Sequence, residues 1–373
     1  MRAWCRSGLF TAWLTCLCLN AAVAAEPASP WPEPYAQGKA VAWSNGMPVA
    51  DLQGDWRRGY DPQVGAQRAY LSALAEAGLG MPNAAPTWAQ GWRLGALARV
   101  EAFAALSGEA ADLLAAYQGQ TDPTRIGSYN ADHRTLMWRG TGLAVHTPAW
   151  RVGRFQMGAS WQYLRLTRLR TTQTQGVAAY LGNGTYEYDL TLSEDNERVH
   201  TTFLANPADR GDAASLSLHL AWQPDDRWSL KLSADDLWSR LHWPQLQANR
   251  ASVTSQVASR DAEGFLNYRA AIVGKYTVQA LDARMPATVS FDVAWRHETG
   301  DMTLQSVRRW GLQQLWLGWR QAGDLAWSVE VEPMAGALRL GLAWRGLHML
   351  VGADKLDDTA HVQQLNLSYR TPF

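Results

Sequence analysis

The chain has 373 residues, with 34 basic and 34 acidic side chains and a formal net charge of zero. That balance, with no charge run, argues against nucleic acid as a partner. Hydrophobic residues make up 47% of the chain and twenty are tryptophan, a load suited to surfaces with one apolar and one wet edge.

Met1, Arg2 and Arg6 open the chain, and an apolar stretch runs from Leu9 to Val23. Ala22 and Ala24 supply small residues where a signal peptidase reads, so residues 1–25 are expected to be a cleaved secretory signal. All three cysteines (Cys5, Cys16 and Cys18) lie inside it. The remainder has no thiol for a disulfide, a zinc site or a nucleophile. Residues 26–64 begin Pro-rich, "EPASPWPEPYAQG", and read as an extended periplasmic or barrel-filling segment.

From Gly65 the spacing of apolar residues matters more than their number. Gly65 to Gly80 fits a strand, through Ala69, Leu71, Ala73, Ala75, Ala77 and Leu79, and also an alanine-rich helix. Gly91 to Val100 reads as a strand with Trp92, Leu94, Ala96, Ala98 and Val100 on one side, whereas Gly108 to Gly119 fits either state. Beyond about position 150 the period is two. In "RFQMGASWQY", Phe155, Met157, Ala159, Trp161 and Tyr163 oppose Arg154, Gln156, Gly158, Ser160 and Gln162. "SLSLHLAW", "WSLKLSA", "TVSFDVAWR", "LAWSVEVE" and "ALRLGLAWR" repeat the pattern, and several apolar faces end in Trp or Tyr. No run of eighteen apolar residues follows the expected signal, so no transmembrane helix is predicted.

Alternating strands build either a soluble sandwich or a membrane barrel. Connection lengths favour the barrel. The set 147–150, 223–227, 297–301, 321–324 and 345–346 is short, and the set 119–133, 169–183, 241–249, 277–286 and 354–360 is longer. Short turns at one end and longer loops at the other suit a membrane barrel. The connections near 310 and 333–335 break the rule by being short. The expected fold is an all-β, antiparallel transmembrane barrel of about fourteen to eighteen strands over residues 65–373.

In such a barrel the polar faces point into the lumen. They offer Arg154, Glu187, Asp189, His219, Lys231, Asp292, Arg296, Arg320, Glu330, Glu332, Arg339 and Arg345. These groups either form a charge-selective constriction or pair across the lumen and fill it. Ser217 and His219 share a face and could support nucleophilic catalysis, but that face is the inward one. No metal, phosphate-loop or dinucleotide motif is present, and no cofactor is expected.

The last ten residues, "QLNLSYRTPF", end in Phe373 with Leu365, Leu367 and Tyr369 at alternate positions before it. They resemble the terminal strand of bacterial outer-membrane β-barrels, although Thr371 and Pro372 depart from the pattern. The resemblance implies a Gram-negative outer membrane, its lipid and the barrel-assembly machinery as partners, and Leu365, Leu367, Tyr369 and Phe373 as the assembly signal. Three functions are compatible with it: a passive pore or solute channel, a non-conducting barrel serving an envelope protein partner in assembly, secretion or adhesion, and a membrane-embedded hydrolase.

Overall fold

The computed structural model describes residues 32–46, 48–49, 65–82, 85–87, 89–119, 121–198, 204, 206, 208–260, 266–268, 270–357 and 359–370. The expected signal segment and Phe373 lie outside them. In chain order the elements begin with β1 (Glu33–Ser44), β2 (Gln67–Gly80), β3 (Arg93–Leu106), α1 (Gly108–Gly119), β4 (Gly127–Asn130) and β5 (His133–His146). Then come β6 (Trp150–Val152), β7 (Phe155–Gly182), β8 (Thr185–Asn196), β9 (Gly211–Trp222), β10 (Trp228–Thr254), β11 (Ala258–Arg260), β12 (Leu266–Tyr268) and β13 (Ile272–Ala283). The chain closes with β14 (Thr288–His297), β15 (Gly300–Arg309), β16 (Leu312–Gln321), β17 (Leu325–Glu332), β18 (Ala337–Trp344), β19 (Leu347–Ala353) and β20 (Val362–Arg370).

Antiparallel pairing runs β1-β2-β3-β5-β7-β9-β10-β14-β15-β16-β17-β18-β19-β20 and returns to β1. The result is a closed barrel of fourteen staves, at the low end of the expected range. Closure satisfies every edge, which lipid demands because an unpaired backbone group there costs several kcal/mol. No described helix is long and apolar enough to cross a membrane.

The closing pair corrects the expected boundary. Residues 33–44 are a stave, not a barrel-filling segment: Tyr35 to Trp43 pair with Arg370 to Val362 on one side, and Glu33 to Ser44 with Gly80 to Ala69 on the other. Its outward residues are Ala36, Gly38, Ala40 and Ala42, too small to announce a lipid-facing pattern. β2 settles as a strand because barrel closure outweighs the helical preference of its alanines. The segment 108–119 is the helix α1, whose Ala110 and Ala111 pack on Ala69 and Leu106 at the outer face of β2 and β3.

Three expected loops are strands. β7 has 28 residues and β10 has 27. Their lower halves pair with β9, and that of β10 also with β14. Their upper halves pair with β8, and that of β10 also with β13. β8 with β9, and β13 with β14, are thus single returning staves broken at the rim. With β4, which pairs to Val177–Tyr180, the upper halves form a sheet standing above the barrel. Segments 169–183, 241–249 and 277–286 fall largely in this sheet, where water on both sides removes the lipid-facing alternation.

The outward face of β7 is apolar from Phe155 to Tyr163 and turns polar at Arg165. Nine residues at about 3.3 Å each, tilted by about 40°, span about 23 Å, the height of a barrel's lipid-facing band. Aromatic residues gird the short-turn end: Phe155 stacks on Trp222 at 5.6 Å, and Trp228 lies 6.4 Å from Trp295. Both chain ends of the barrel, Glu33 and Arg370, lie at this same end.

Candidate functional site: a lumen closed by charge and by a leaning turn

Strand parity sorts the inward side chains into three levels. Nearest the short-turn end is an open, polar vestibule. A cavity of about 340 Å³ there is lined by Arg151, Arg154, Asp226, Arg227, Arg296 and Asp301, among others. His219, Lys231 and Arg320 point into the lumen and are exposed. On one wall Glu76 accepts from Tyr35 Oη at 2.5 Å and Gln37 Nε2 at 2.8 Å, and bonds His146 Nε2 at 2.7 Å. Gly95 makes room for this group, since a Cβ there would sit 2.5 Å from the Tyr35 hydroxyl.

At mid-height the lumen is bridged by charge. Arg99 on β3 donates through Nε and Nη2 to Glu101 Oε1 at 3.0 and 2.9 Å, and through Nη1 to Asp236 Oδ1 on β10 at 2.8 Å. Its Nη1 also reaches Gln162 Oε1 on β7 at 3.2 Å. Glu101 accepts in turn from Ser72 at 3.0 Å and from Arg309 on β15 at 2.5 Å. β3 and β15 are six staves apart in a barrel of fourteen, so this chain of ion pairs crosses the interior. Arg99, Glu101 and Asp236 are each more than nine-tenths buried. Charges so placed persist only when paired and hydrogen-bonded. Asp236 reaches the network because a bulge in β10 between Ala234 and Trp238 gives it a φ of 55°, and its amide donates to Ser217 Oγ at 3.1 Å.

Beside this bridge stands Lys39 on β1. Parity aims it at the axis, it keeps accessible surface inside the enclosing barrel, and among the described residues it has no hydrogen bond or ion pair. An unpaired ammonium could not stay in a dry interior, so water reaches this level of the lumen. Asp235, on the opposite wall, also points inward.

Towards the long-loop end the interior becomes apolar. One cluster joins Leu97, Leu136, Trp138, Leu164, Leu166, Leu169, Leu241, Trp243 and Leu246 from β3, β5, β7 and β10. A second joins Val41, Trp43, Tyr70, Leu312, Trp316 and Val362 from β1, β2, β16 and β20. Trp310 packs on both. It sits in the two-residue turn 310–311 with φ of 51°, followed by Gly311 at 76°, so the turn folds inward. Its ring stacks on Phe103 at 4.1 Å, and Arg68 Nη1 donates to the Gly311 carbonyl at 2.8 Å. The short connection that broke the loop-length rule is a lid that crosses to β2 and β3.

Of the residues expected to line the lumen, His219, Lys231, Asp292, Arg296, Arg320, Glu330, Glu332 and Arg339 do point inward. Arg339 pairs with Glu330 and donates to Gln305 at 2.8 Å, and Gln305 bonds Asp292. The Arg339 guanidinium also lies 4.4 Å from the Trp316 ring centre. Arg154 sits in the turn before β7, at the vestibule mouth. Glu187 and Asp189 stand above the lumen: β8 pairs beyond the rim, and their cross-strand neighbours Ala179 and Val177, of the same parity as the inward Leu169, place them on the inner face of the upper sheet. Arg345 lies in the turn 345–346 and covers the Trp344 ring, outside the lumen. Ser217 and His219 share the inward face, but the serine hydroxyl is engaged by the Asp236 amide, and no hydrogen bond joins it to His219 among the described residues. Leu365, Leu367 and Tyr369 face outward on β20.

Lys39, Arg99, Glu101, Asp236 and Arg309 escaped the sequence reading. The parity that puts Leu94, Ala96 and Ala98 on the lipid face already puts Arg99 and Glu101 inward. Asp236 owes its position to a bulge and Trp310 to a turn, and neither carries a periodic signal.

No family model matches the chain, and no curated protein does. Solved structures do. The Ralstonia pickettii toluene transporter TbuX is 9% identical over 92% of this chain and 90% of its own, with a TM-score of 0.41. A Pseudomonas aeruginosa FadL homologue is 11% identical over 91% and 88%, with a TM-score of 0.39. The Pseudomonas putida toluene transporter TodX is 11% identical over 92% and 90%, with a TM-score of 0.31. Scores this low leave solute and mechanism to be read from this chain's own lumen.

Proposed function

We propose that the protein is a solute channel of a Gram-negative outer membrane, exported through a cleaved signal, with its short-turn end in the periplasm and its lumen closed in this conformation. One observation carries the reading: Lys39 points to the axis, has no ion pair among the described residues and keeps accessible surface although the barrel wall surrounds it. A barrel built only as a support would gain by filling that level with apolar or fully paired groups. Instead a wet passage with Lys39 on one wall and Asp235 on the other runs beside an ion-pair bridge, under a lid held by one aromatic stack and one hydrogen bond. The barrier is polar at mid-height and apolar above, so solutes that pass must shed charge or move the lid.

The second reading is a non-conducting accessory barrel. It is supported by the two apolar clusters, whose Trp138, Trp243 and Trp316 are almost fully buried. Planar-bilayer recordings separate the two. The channel reading expects brief, small openings in the wild type that lengthen in Trp310→Gly. Silence in both proteins would leave only the accessory role.

A further inference from the structure

The outward face of the tall wall carries a cluster of arginines that the lumen reading does not use. On β5, Arg139 faces out. On β7, Arg165, Arg168 and Arg170 face out with it. Arg139 and Arg168 are direct cross-strand neighbours, and Arg170 lies opposite Met137, one step above on the same face. Like charges set opposite one another destabilise a sheet. The counter-charges nearby are incomplete. Glu197 pairs with Arg168 at 3.2 Å and lies 3.6 Å from Arg198, and Glu194 pairs with Arg170 at 3.0 Å. Arg139 and Arg165 are exposed and form no ion pair among the described residues, although Asp212 is the cross-strand neighbour of Arg165.

Height decides what such a cluster meets. Directly below it on the same face stand Trp161 and Tyr163, stacked at 6.2 Å, and the half-exposed Leu143. The arginines therefore begin where the lipid-facing band ends, at the level of headgroups in the leaflet at the long-loop end. Guanidinium forks match phosphate oxygens two at a time, and the rings and aliphatic wall below suit acyl chains. The short wall offers no equivalent: on β15 the outward rim cation is Arg308.

We propose that Arg139 and Arg165, supported by Arg168, form a binding site for a phosphate-bearing glycolipid of the outer leaflet, with its acyl chains on Trp161, Tyr163 and Leu143. The proposal rests on the membrane placement of the apolar band and not on the lumen, so a silent bilayer recording leaves it standing.

The test is native mass spectrometry of the full barrel, released from phosphatidylcholine nanodiscs doped with lipid A or with its dephosphorylated form. The wild type is expected to retain the phosphorylated lipid several-fold over the dephosphorylated one. The double variant Arg139→Ala/Arg165→Ala should lose at least fivefold of that retention, while Arg308→Ala keeps it. Should the alanine variant fail to insert, Arg139→Lys/Arg165→Lys keeps the charge but not the fork, and at least a twofold loss is expected. Equal retention in the wild type and the inserted variants would overturn the site. Equal retention of the two lipids would overturn the role of phosphate. Full displacement by millimolar inorganic phosphate would replace the lipid with a free anion and overturn the occupant named here.

Discussion

The two walls of this barrel are built differently. From β15 to β20 the staves have seven to ten residues and are joined by connections as short as two. From β7 to β10 two strands of 28 and 27 residues pass through the rim and carry a sheet above it. On the short wall the outward face meets lipid along most of its length, and the inward face meets the lumen. On the tall wall the surroundings change part-way up: below Arg165 lipid lies outside and polar groups inside, and above it water lies outside and leucines inside. One β-strand thus serves two solvents, and its side-chain pattern inverts where they meet. The apolar upper lumen is the inner side of that inversion, and the arginine rim is its outer side.

The largest expected effect comes from the bridge between the walls. Glu101→Ala strands Arg309 in the interior and leaves Arg99 to Asp236 and Gln162 alone, and breaking a buried ion pair costs about 3–5 kcal/mol. Urea titration of the barrel in lipid vesicles, read by tryptophan fluorescence, should show the loss. Next comes a direct contrast of the walls by the same charge on two outward faces. Leu340→Arg, on the lipid face of β18, should cost about 2–4 kcal/mol. Tyr276→Arg, on the exposed outer face of β13 in the upper sheet, should stay within about 0.5 kcal/mol. Similar losses at both sites in the same titration would break the comparison, because the upper sheet would then lie in lipid.

A smaller effect is expected at the lid. Trp310→Gly removes the stack on Phe103, worth about 0.5–1.5 kcal/mol, but relieves a positive φ, so the unfolding midpoint should hardly move while channel openings lengthen. The smallest concerns Asp282 in β13 at the rim, whose carboxyl is held below its ordinary range by hydrogen bonds from His242 and then Arg240. Because that value is depressed in the folded state, whatever stability it lends is present above the ordinary carboxylate range and is lost as pH falls through the depressed value. His242→Ala should move the Asp282 titration up towards the ordinary value, as followed by carboxyl NMR, with the short wall unchanged.

The same contrast explains what could be read from the sequence. On the short wall Leu338, Leu340, Leu342 and Trp344 oppose Arg339 and Gly341, and period two alone places each side chain. On the tall wall "RTTQTQGVAAY" has no such alternation, because neither face meets lipid, so a strand was read as a loop, and Glu187 and Asp189, which keep the inward parity, stand above the rim instead of at the level of the lumen. β1 was hidden for another reason: its outward Ala36, Gly38, Ala40 and Ala42 are too small to mark a face, and only pairing with β2 and β20 identifies it. The lumen bridge was half legible. Arg99 and Glu101 follow from parity, but Asp236 depends on a bulge, and its partnership spans 137 residues of sequence.

The central claim is that the lumen is a wet passage held shut by the Arg99–Glu101–Arg309 bridge and the Trp310 turn. The most direct test is single-channel recording of the wild type beside Glu101→Gln and Trp310→Gly, each shown to be folded by its heat-shifted band on SDS gels. The account predicts rare small openings in the wild type and a several-fold rise in open time in both variants. Folded barrels that stay silent in all three proteins would contradict it.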